Sequence, residues 1–204
     1  MTLKKEIGII ILCGGESSRM KSPKAFLEIE CVTLLERLTN IYCSAKFLNP
    51  VIILNHRFFS QPWLETINKL SIKSVVLKNQ FPNLGRSHSI RLGLYLMKDK
   101  SFCFLQNIDN PDISIDLLDK MISASDEDAY VVPANNGETG HPILIGKKII
   151  EHLSSLRSSN WILKDELKKF KRIIIDAPYN NVLLNLNTES DWEKYSEEVK
   201  NKNK

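Results

Sequence analysis

With 204 residues, 43% of them hydrophobic and 25% charged, the chain has the size and balance of one generous globular domain. Its net charge of +4 comes partly from a lysine-rich tail, and no dense Lys/Arg stripe with interleaved aromatics is present, so nucleic acid is not the expected partner. Four cysteines (Cys13, Cys31, Cys43, Cys103) without C-x-x-C or metal-ligand spacing read as free thiols of a reducing cytoplasm, and no stretch approaches the roughly 20 apolar residues that cross a bilayer.

The opening "MTLKKEIGIIILC" has a leader-like pair of lysines before an apolar run. The run is only about seven residues long, and Leu12 stands where a cleavage site needs a small side chain, so it is read as a first buried strand. Further apolar runs of strand length follow in order: "PVIIL", "KSVVL", "FCFL", "AYVVP", "PILIG", "RIIID" and "VLLNL". Continuous rather than alternating runs suit strands covered on both faces. Between them lie helix-like segments, "TLLERLTNIYCSA", "SHSIRLGLYLMKD", "SIDLLDKMISAS" and "SNWILKDELKKF". The alternation predicts an α/β fold, a single domain with a mostly parallel sheet sandwiched by helices. An antiparallel element is expected in the C-terminal half, because "PILIG" follows "AYVVP" across only a short turn. The domain is expected to span 1–192, with 193–204 as a polar, fraying helical tail.

Directly behind the first strand stands "CGGESSRMKSPKAFL". A glycine pair there lets backbone amides approach a ligand, Ser17 and Ser18 add hydroxyl donors, Arg19 a rigid fork and Lys24 a mobile cation. Together these make a polyphosphate cradle, placed where α/β proteins bind ligands. It is neither a Walker A loop nor a dinucleotide fingerprint, since G-K-[ST] and G-x-G-x-x-G are both absent. Asp109 follows "FCFLQNI", so a buried strand delivers a hard oxygen ligand to the sheet edge, suited to magnesium; Ser114 is the better N-cap for the helix that follows. Ser87 and Ser89 stand where they could N-cap a helix, and His141 where a turn histidine could bond to backbone carbonyls.

"LCGGESSRMKSPKAFL" resembles the opening signature of the molybdenum cofactor nucleotidylyltransferases and their MobA-like relatives, L-A-[AG]-G-x-S-x-R-M-G-x-x-K-x-x-L. "NLGRSHSIRLGL", "NIDNP", "ETGHPILI" and "LNLNTESDW" resemble further motifs of that family in the same order, so the likeness spans nearly the whole chain. The resemblance implies a Rossmann-like fold of the nucleotide-diphospho-sugar transferase type and a cytoplasmic, Mg2+-dependent nucleotidyltransferase. Such an enzyme moves a nucleoside monophosphate from CTP, or secondly GTP, to molybdopterin or another small phosphomonoester. It implies Lys24, Arg19 and Asp109 as catalytic residues, and Leu12, Cys13, Gly14, Gly15, Ser17, Ser18, Arg19, Lys24, Ser87 and Ser89 around the nucleotide. His141 falls to the acceptor, and Asp109, Asn185 and Asn187 to the metal, the two asparagines sharing one face of a last strand. Three departures stand out: Lys21 in place of glycine, Asn110 in place of glutamine or histidine, and no G-x-[RK] turn in "SNWILKDEL". Two alternatives remain open: a nucleotide-binding or regulatory protein without turnover, and a sugar-phosphate nucleotidyltransferase.

Overall fold

The computed structural model describes residues 3–15, 22–158, 160–178 and 180–202. Its centre is strand β1 (Ile7–Cys13), buried at all seven positions. Period-two geometry sends its side chains to opposite faces. Ile7, Ile9 and Ile11 join one hydrophobic cluster and Ile10 and Leu12 another, so the strand is covered twice. Each such fully buried aliphatic side chain contributes on the order of 1.5–3 kcal/mol.

Hairpin strands β2 (Glu28–Ile29) and β3 (Val32–Thr33) lead into helix α1 (Leu34–Ser44). Thr33 and Glu36 form a reciprocal capping box at its start. The chain continues through β4 (Val51–Asn55), α2 (Leu64–Leu70), β5 (Val75–Asn79), α3 (Gly85–Leu94), β6 (Phe102–Asn107) and α4 (Ile115–Ser123). Strands β7 (Ala129–Asn135), β8 (Glu138–Thr139) and β9 (Ile143–Gly146), helices α5 (Lys147–Ser155) and α6 (Leu163–Leu167), strand β10 (Lys171–Asp176) and helix α7 (Glu189–Lys202) complete it. Ser114 caps α4, accepting a hydrogen bond from Leu117 N, as its position suggests.

The main sheet runs β10-β7-β9-β6-β1-β4-β5, with β8 on β7. Every pairing is parallel except those of β9 and β8, so "PILIG" is the antiparallel element. One face packs on α1 and α4 through Leu35, Leu38, Tyr42, Leu117 and Met121, the other on α3 and α5 through Ile90, Leu94, Ile149, Ile150 and Leu153. After β1 the chain builds outward through β4 and β5, then returns to lay β6 on the other side of β1. That reversal opens a crevice beyond the carboxyl ends of β1 and β6.

Several expected elements differ. "VLLNL" is not a strand: it is a 3-10 turn (Asn180–Leu183) followed by irregular chain. Its backbone groups are satisfied by loops instead of a ladder, Val182 O by His141 N, Leu184 O by the Asn110 side chain, and Leu186 N by Asp109 O. Helix α3 begins at Gly85 with Leu84 as N-cap and no side-chain cap, so neither Ser87 nor Ser89 caps it. The 192/193 boundary falls inside α7, whose Tyr195 and Val199 are buried with Ile29, Leu34 and Leu186. Helices α2 and α5 and the β2–β3 hairpin add to the expected elements.

At the tip of that hairpin Glu30 and Cys31 both hold positive φ, 53° and 61°. A two-residue turn with left-handed geometry at both positions favours glycine in the second. Cys31→Gly is therefore expected to raise stability by about 0.5–1 kcal/mol, strain relief exceeding the added chain entropy, or roughly 1–4 °C in a thermal melt.

Candidate nucleotide-binding cleft

The four strand ends beyond the crevice carry polar groups: Gly14 and Gly15 after β1, Asn55 on β4, Asn79 on β5, and Asn107 to Asp109 at β6. Over them lies a cleft of about 420 Å³. Leu12, Cys13, Gly14, Gly15, Lys24, Ser89, Asp109 and Asn187, all predicted site residues, line it together with Pro82, Gly85, Arg86, Asn107 and others.

Lys24 and Asp109 converge here from distant parts of the chain. Lys24 Nζ donates to Asn187 Oδ1 at 3.0 Å, a contact spanning 163 positions, and lies 4.0 Å from Asp109 Oδ2. At that separation the two charges attract without closing into a tight pair. Asp109 Oδ1 is buried and, among the described residues, has no hydrogen-bond partner. An unsatisfied buried carboxylate oxygen costs free energy that a ligand can recover.

A network of amides holds this corner. Gln106 Nε2 donates to the carbonyls of Asn110 (2.7 Å) and Asn107 (2.8 Å), and its Oε1 accepts from Tyr42 Oη at 2.9 Å. Asn110, the departure from glutamine or histidine, donates through its side chain to Leu184 O, and Leu186 N donates to Asp109 O. The loop carrying Asp109 is thus fastened to the segment carrying Asn187. Asp191 secures that segment from below: its Oδ2 accepts from Asn187 N (3.0 Å) and Thr188 N (2.8 Å), while Thr188 Oγ1 accepts from Asp191 N. The terminal "NTESD" therefore works as a capping box that aims Asn187.

Asn185 is exposed and is not among the cleft-lining residues, because the segment is irregular and the two asparagines do not share a strand face. Ser87 is buried on α3 away from the lining, whereas Ser89 lines it. Ser17, Ser18, Arg19 and Lys21 lie outside the described residues. His141 is bonded to a side chain rather than to a carbonyl: Nε2 meets Asn107 Nδ2 at 3.0 Å, one residue behind the cleft wall. Burial, then the positive charge of Arg86, pushes its pKa down to about 4, so the imidazole is neutral at pH 7. Gly140 before it is required by close approach, since a Cβ there would meet Val182 O at 1.8 Å.

Arg86, the second residue of α3, lines the cleft and was not singled out in the sequence. Crowding of its head group lowers its pKa and Asp109 raises it, but the residue is exposed, and a guanidinium stays charged in any case. A basic side chain at an uncapped helix N-terminus was the available signal. Cys13 is no nucleophile: burial, with Asp109 adding, pushes its thiol far above the usual range.

The donor set fits a hard divalent cation. Asp109 Oδ1 is unpartnered and the Asn187 amide adds a second oxygen donor, while no cluster of three His, Cys, Asp or Glu side chains is present among the described residues. Asp109 would be a single-carboxylate anchor, as Mg2+ prefers where phosphates and waters complete its shell.

The fold has relatives among known proteins. The chain is 25% identical over 196 residues, 94% of its length and 98% of the relative's, to the molybdenum cofactor cytidylyltransferase of Escherichia coli K12. It is 29% identical to a probable molybdenum cofactor guanylyltransferase of Peptoclostridium acidaminophilum, over 92% of this chain and 87% of the other. A nucleotidyl transferase from Methanothermobacter superposes with a TM-score of 0.77 at 18% identity, covering 94% and 96% of the two chains. A Mycobacterium tuberculosis protein solved in complex with manganese gives 0.69 at 16% identity, covering 94% and 97%. Among the described residues no helix is long and apolar enough to cross a membrane. The family model of the MobA-like NTP transferase domain matches residues 9–172, from β1 into β10 and across most of the cleft wall, so the chain belongs to the MobA-like NTP transferase family.

Proposed function

We propose that the cleft binds a nucleoside triphosphate, CTP first and GTP second, and transfers its nucleoside monophosphate to a small phosphomonoester, molybdopterin foremost. The observation that carries this reading is the convergence of Lys24, Asp109 and Asn187 on one cleft beyond the β1/β6 crevice. Relatives named as cytidylyl- and guanylyltransferases of the molybdenum cofactor support the class of reaction and leave both bases in play.

An oxygen of the acceptor phosphate attacks the α-phosphorus, the bond from that phosphorus to the α,β-bridging oxygen breaks, and pyrophosphate leaves with the electron pair. The nucleophile is already an anion, so no general base is needed and catalysis reduces to alignment and neutralisation of charge. Lys24, with its side chain 13% exposed and its ammonium steered by Asn187, supplies the cation at the α-phosphate. The uncapped start of α3 and Arg86 supply positive potential along the phosphates. His141, being neutral, serves the acceptor side by buttressing Asn107. Asp109 with Asn187 would hold Mg2+, whose charge would offset that of the triphosphate and of the departing pyrophosphate.

Pyrophosphate release, measured with each of CTP, GTP, ATP and UTP against molybdopterin and a set of sugar phosphates, tests the reading. Magnesium-dependent release with CTP and molybdopterin is expected. Nucleotide binding without release for any pair would overturn it in favour of a binding protein.

A further inference from the structure

Strand β10 forms one edge of the main sheet: it pairs with β7 on its inner side, and no strand among the described residues pairs with its outer side. In a parallel pairing alternate residues turn their N–H and C=O groups away from the neighbour, so the outer side presents a row of open backbone donors and acceptors. Period-two geometry divides the side chains. Ile173 and Ile175 are half-buried against the core, whereas Arg172, Ile174 and Asp176 stand on the other face, all exposed, with Ile174 at 49%.

Exposed edges are commonly guarded by a central charge, a proline or a bulge that keeps copies apart. This edge has none of these at its centre, where three isoleucines run in succession and the register with β7 is unbroken. Its outward charges sit at the ends and have opposite sign, Arg172 two residues before Ile174 and Asp176 two residues after it. About 13 Å of extended chain separates them, too far to pair with one another. Among the described residues neither enters a salt bridge, unlike Lys171, whose Nζ lies 3.3 Å from Asp126 Oδ2.

We infer that β10 is a homodimer edge: two copies of this chain pair their β10 strands antiparallel about a two-fold axis at Ile174, with Arg172 of each copy opposite Asp176 of the other. A two-fold axis perpendicular to a sheet keeps each face on its own side, so a residue meets either itself or one removed from it by an even number. Centring the axis on Ile174 sets Ile174 against Ile174, Ile173 against Ile175 and Arg172 against Asp176, an ion pair at each end of an apolar middle. Moving it to Ile173 sets Arg172 against Ile174, and moving it to Ile175 sets Asp176 against Ile174; either shift loses both ion pairs. In-register parallel pairing lays like charges side by side. Charge thus selects one arrangement, since opposite charges across a strand pair stabilise it and like charges oppose it. With one short strand from each copy the dimer is weak, of the class that buries less than about 1,200 Å². It leaves the cleft open, because β7 and β9 stand between β10 and β6.

Sedimentation of the full chain over about 1–500 μM tests the inference. Wild type is expected to pass from one chain to two as concentration rises, and added salt to move the transition to higher concentration. Arg172→Asp and Asp176→Arg each set like charges opposite one another and are expected to weaken self-association about tenfold or more. When these two variants are mixed in equal amounts, opposite charges face one another again, and dimers are expected to form within about threefold of the wild-type affinity. The double exchange restores self-association within one chain, and Ile174→Lys, which sets two like charges on the axis, abolishes it. Thermal melts check that each variant keeps its fold. A wild type that stays single at every concentration, single-charge variants that dimerise as wild type does, or a mixture no more associated than its components would each overturn the inference; should a single-charge variant fail to fold, the double exchange and Ile174→Lys decide.

Discussion

Lys24→Gln is expected to lower kcat for pyrophosphate release by about 10²–10³-fold, equivalent to roughly 3–4 kcal/mol of barrier, with nucleotide affinity changed far less. The asymmetry follows from where the charge sits. The ammonium is mostly buried in the cleft wall, tethered by a 3.0 Å bond to Asn187 and 4.0 Å from Asp109. Such a preorganised cation gains most when negative charge builds at the α-phosphate in the transition state, and less from the ground-state triphosphate. A glutamine, one atom shorter, keeps a polar N–H donor on an unbranched stem while removing the charge. Asn187→Ala, which loosens the ammonium without removing it and also takes away the neutral oxygen donor beside Asp109, is expected to cost about tenfold or more. Steady-state kinetics separate the readings: a raised KM at unchanged kcat would make Lys24 a uniform binding group and remove it from the chemistry.

Much of this arrangement is legible in the sequence, for identifiable reasons. Strand β1 shows as an unbroken apolar run because both of its faces are covered, and Gly14 marks its carboxyl end because the Ser89 hydroxyl approaches the backbone there. Asp109 is legible because a buried strand ending in a carboxylate has few other uses. What escapes is whatever depends on contacts between distant segments. "VLLNL" has the apolar run of a strand, yet its hydrogen bonds go to Asp109, Asn110 and His141, and nothing local in those residues announces it. The pairing of Asn187 with Lys24 is of the same kind, whereas Asn185, equivalent on a strand, stands exposed once the segment is irregular. Arg86 is hidden differently: a lone arginine at the start of a helix is usually a solvated side chain, and only the fold shows that this helix opens onto the cleft. Helix α5 did carry a signal, Ile149, Ile150 and Leu153 at helical spacing, but it follows β9 without a loop, and strand and helix read as one apolar stretch.

Asp109→Asn is expected to abolish divalent-dependent turnover, by about 10³-fold or more, while the protein melts no lower than wild type. The two outcomes come from one fact: Asp109 Oδ1 is buried without a partner among the described residues, and the attraction to Lys24 acts over 4.0 Å, too long for a charge-assisted hydrogen bond. In the unliganded protein the carboxylate is thus a local cost, on the order of 1–3 kcal/mol for an unsatisfied buried polar atom. Exchange for a neutral amide of the same shape relieves part of that cost and forfeits a modest Coulomb gain, so stability holds or rises, as at many sites where function is placed against stability. With ligand the balance reverses. A single anionic oxygen donor is what a hard divalent ion requires from a cleft that offers no other carboxylate in its described lining, and an amide oxygen brings no charge to replace it. Thermal melts with and without CTP and Mn2+, run beside the turnover assay, read both halves: wild type gains stability from the pair by mass action, and Asp109→Asn loses most of that gain. A variant that still turns over at the wild-type rate would remove the metal assignment, and one that loses more than about 2 kcal/mol of stability would mark Asp109 as part of the scaffold instead.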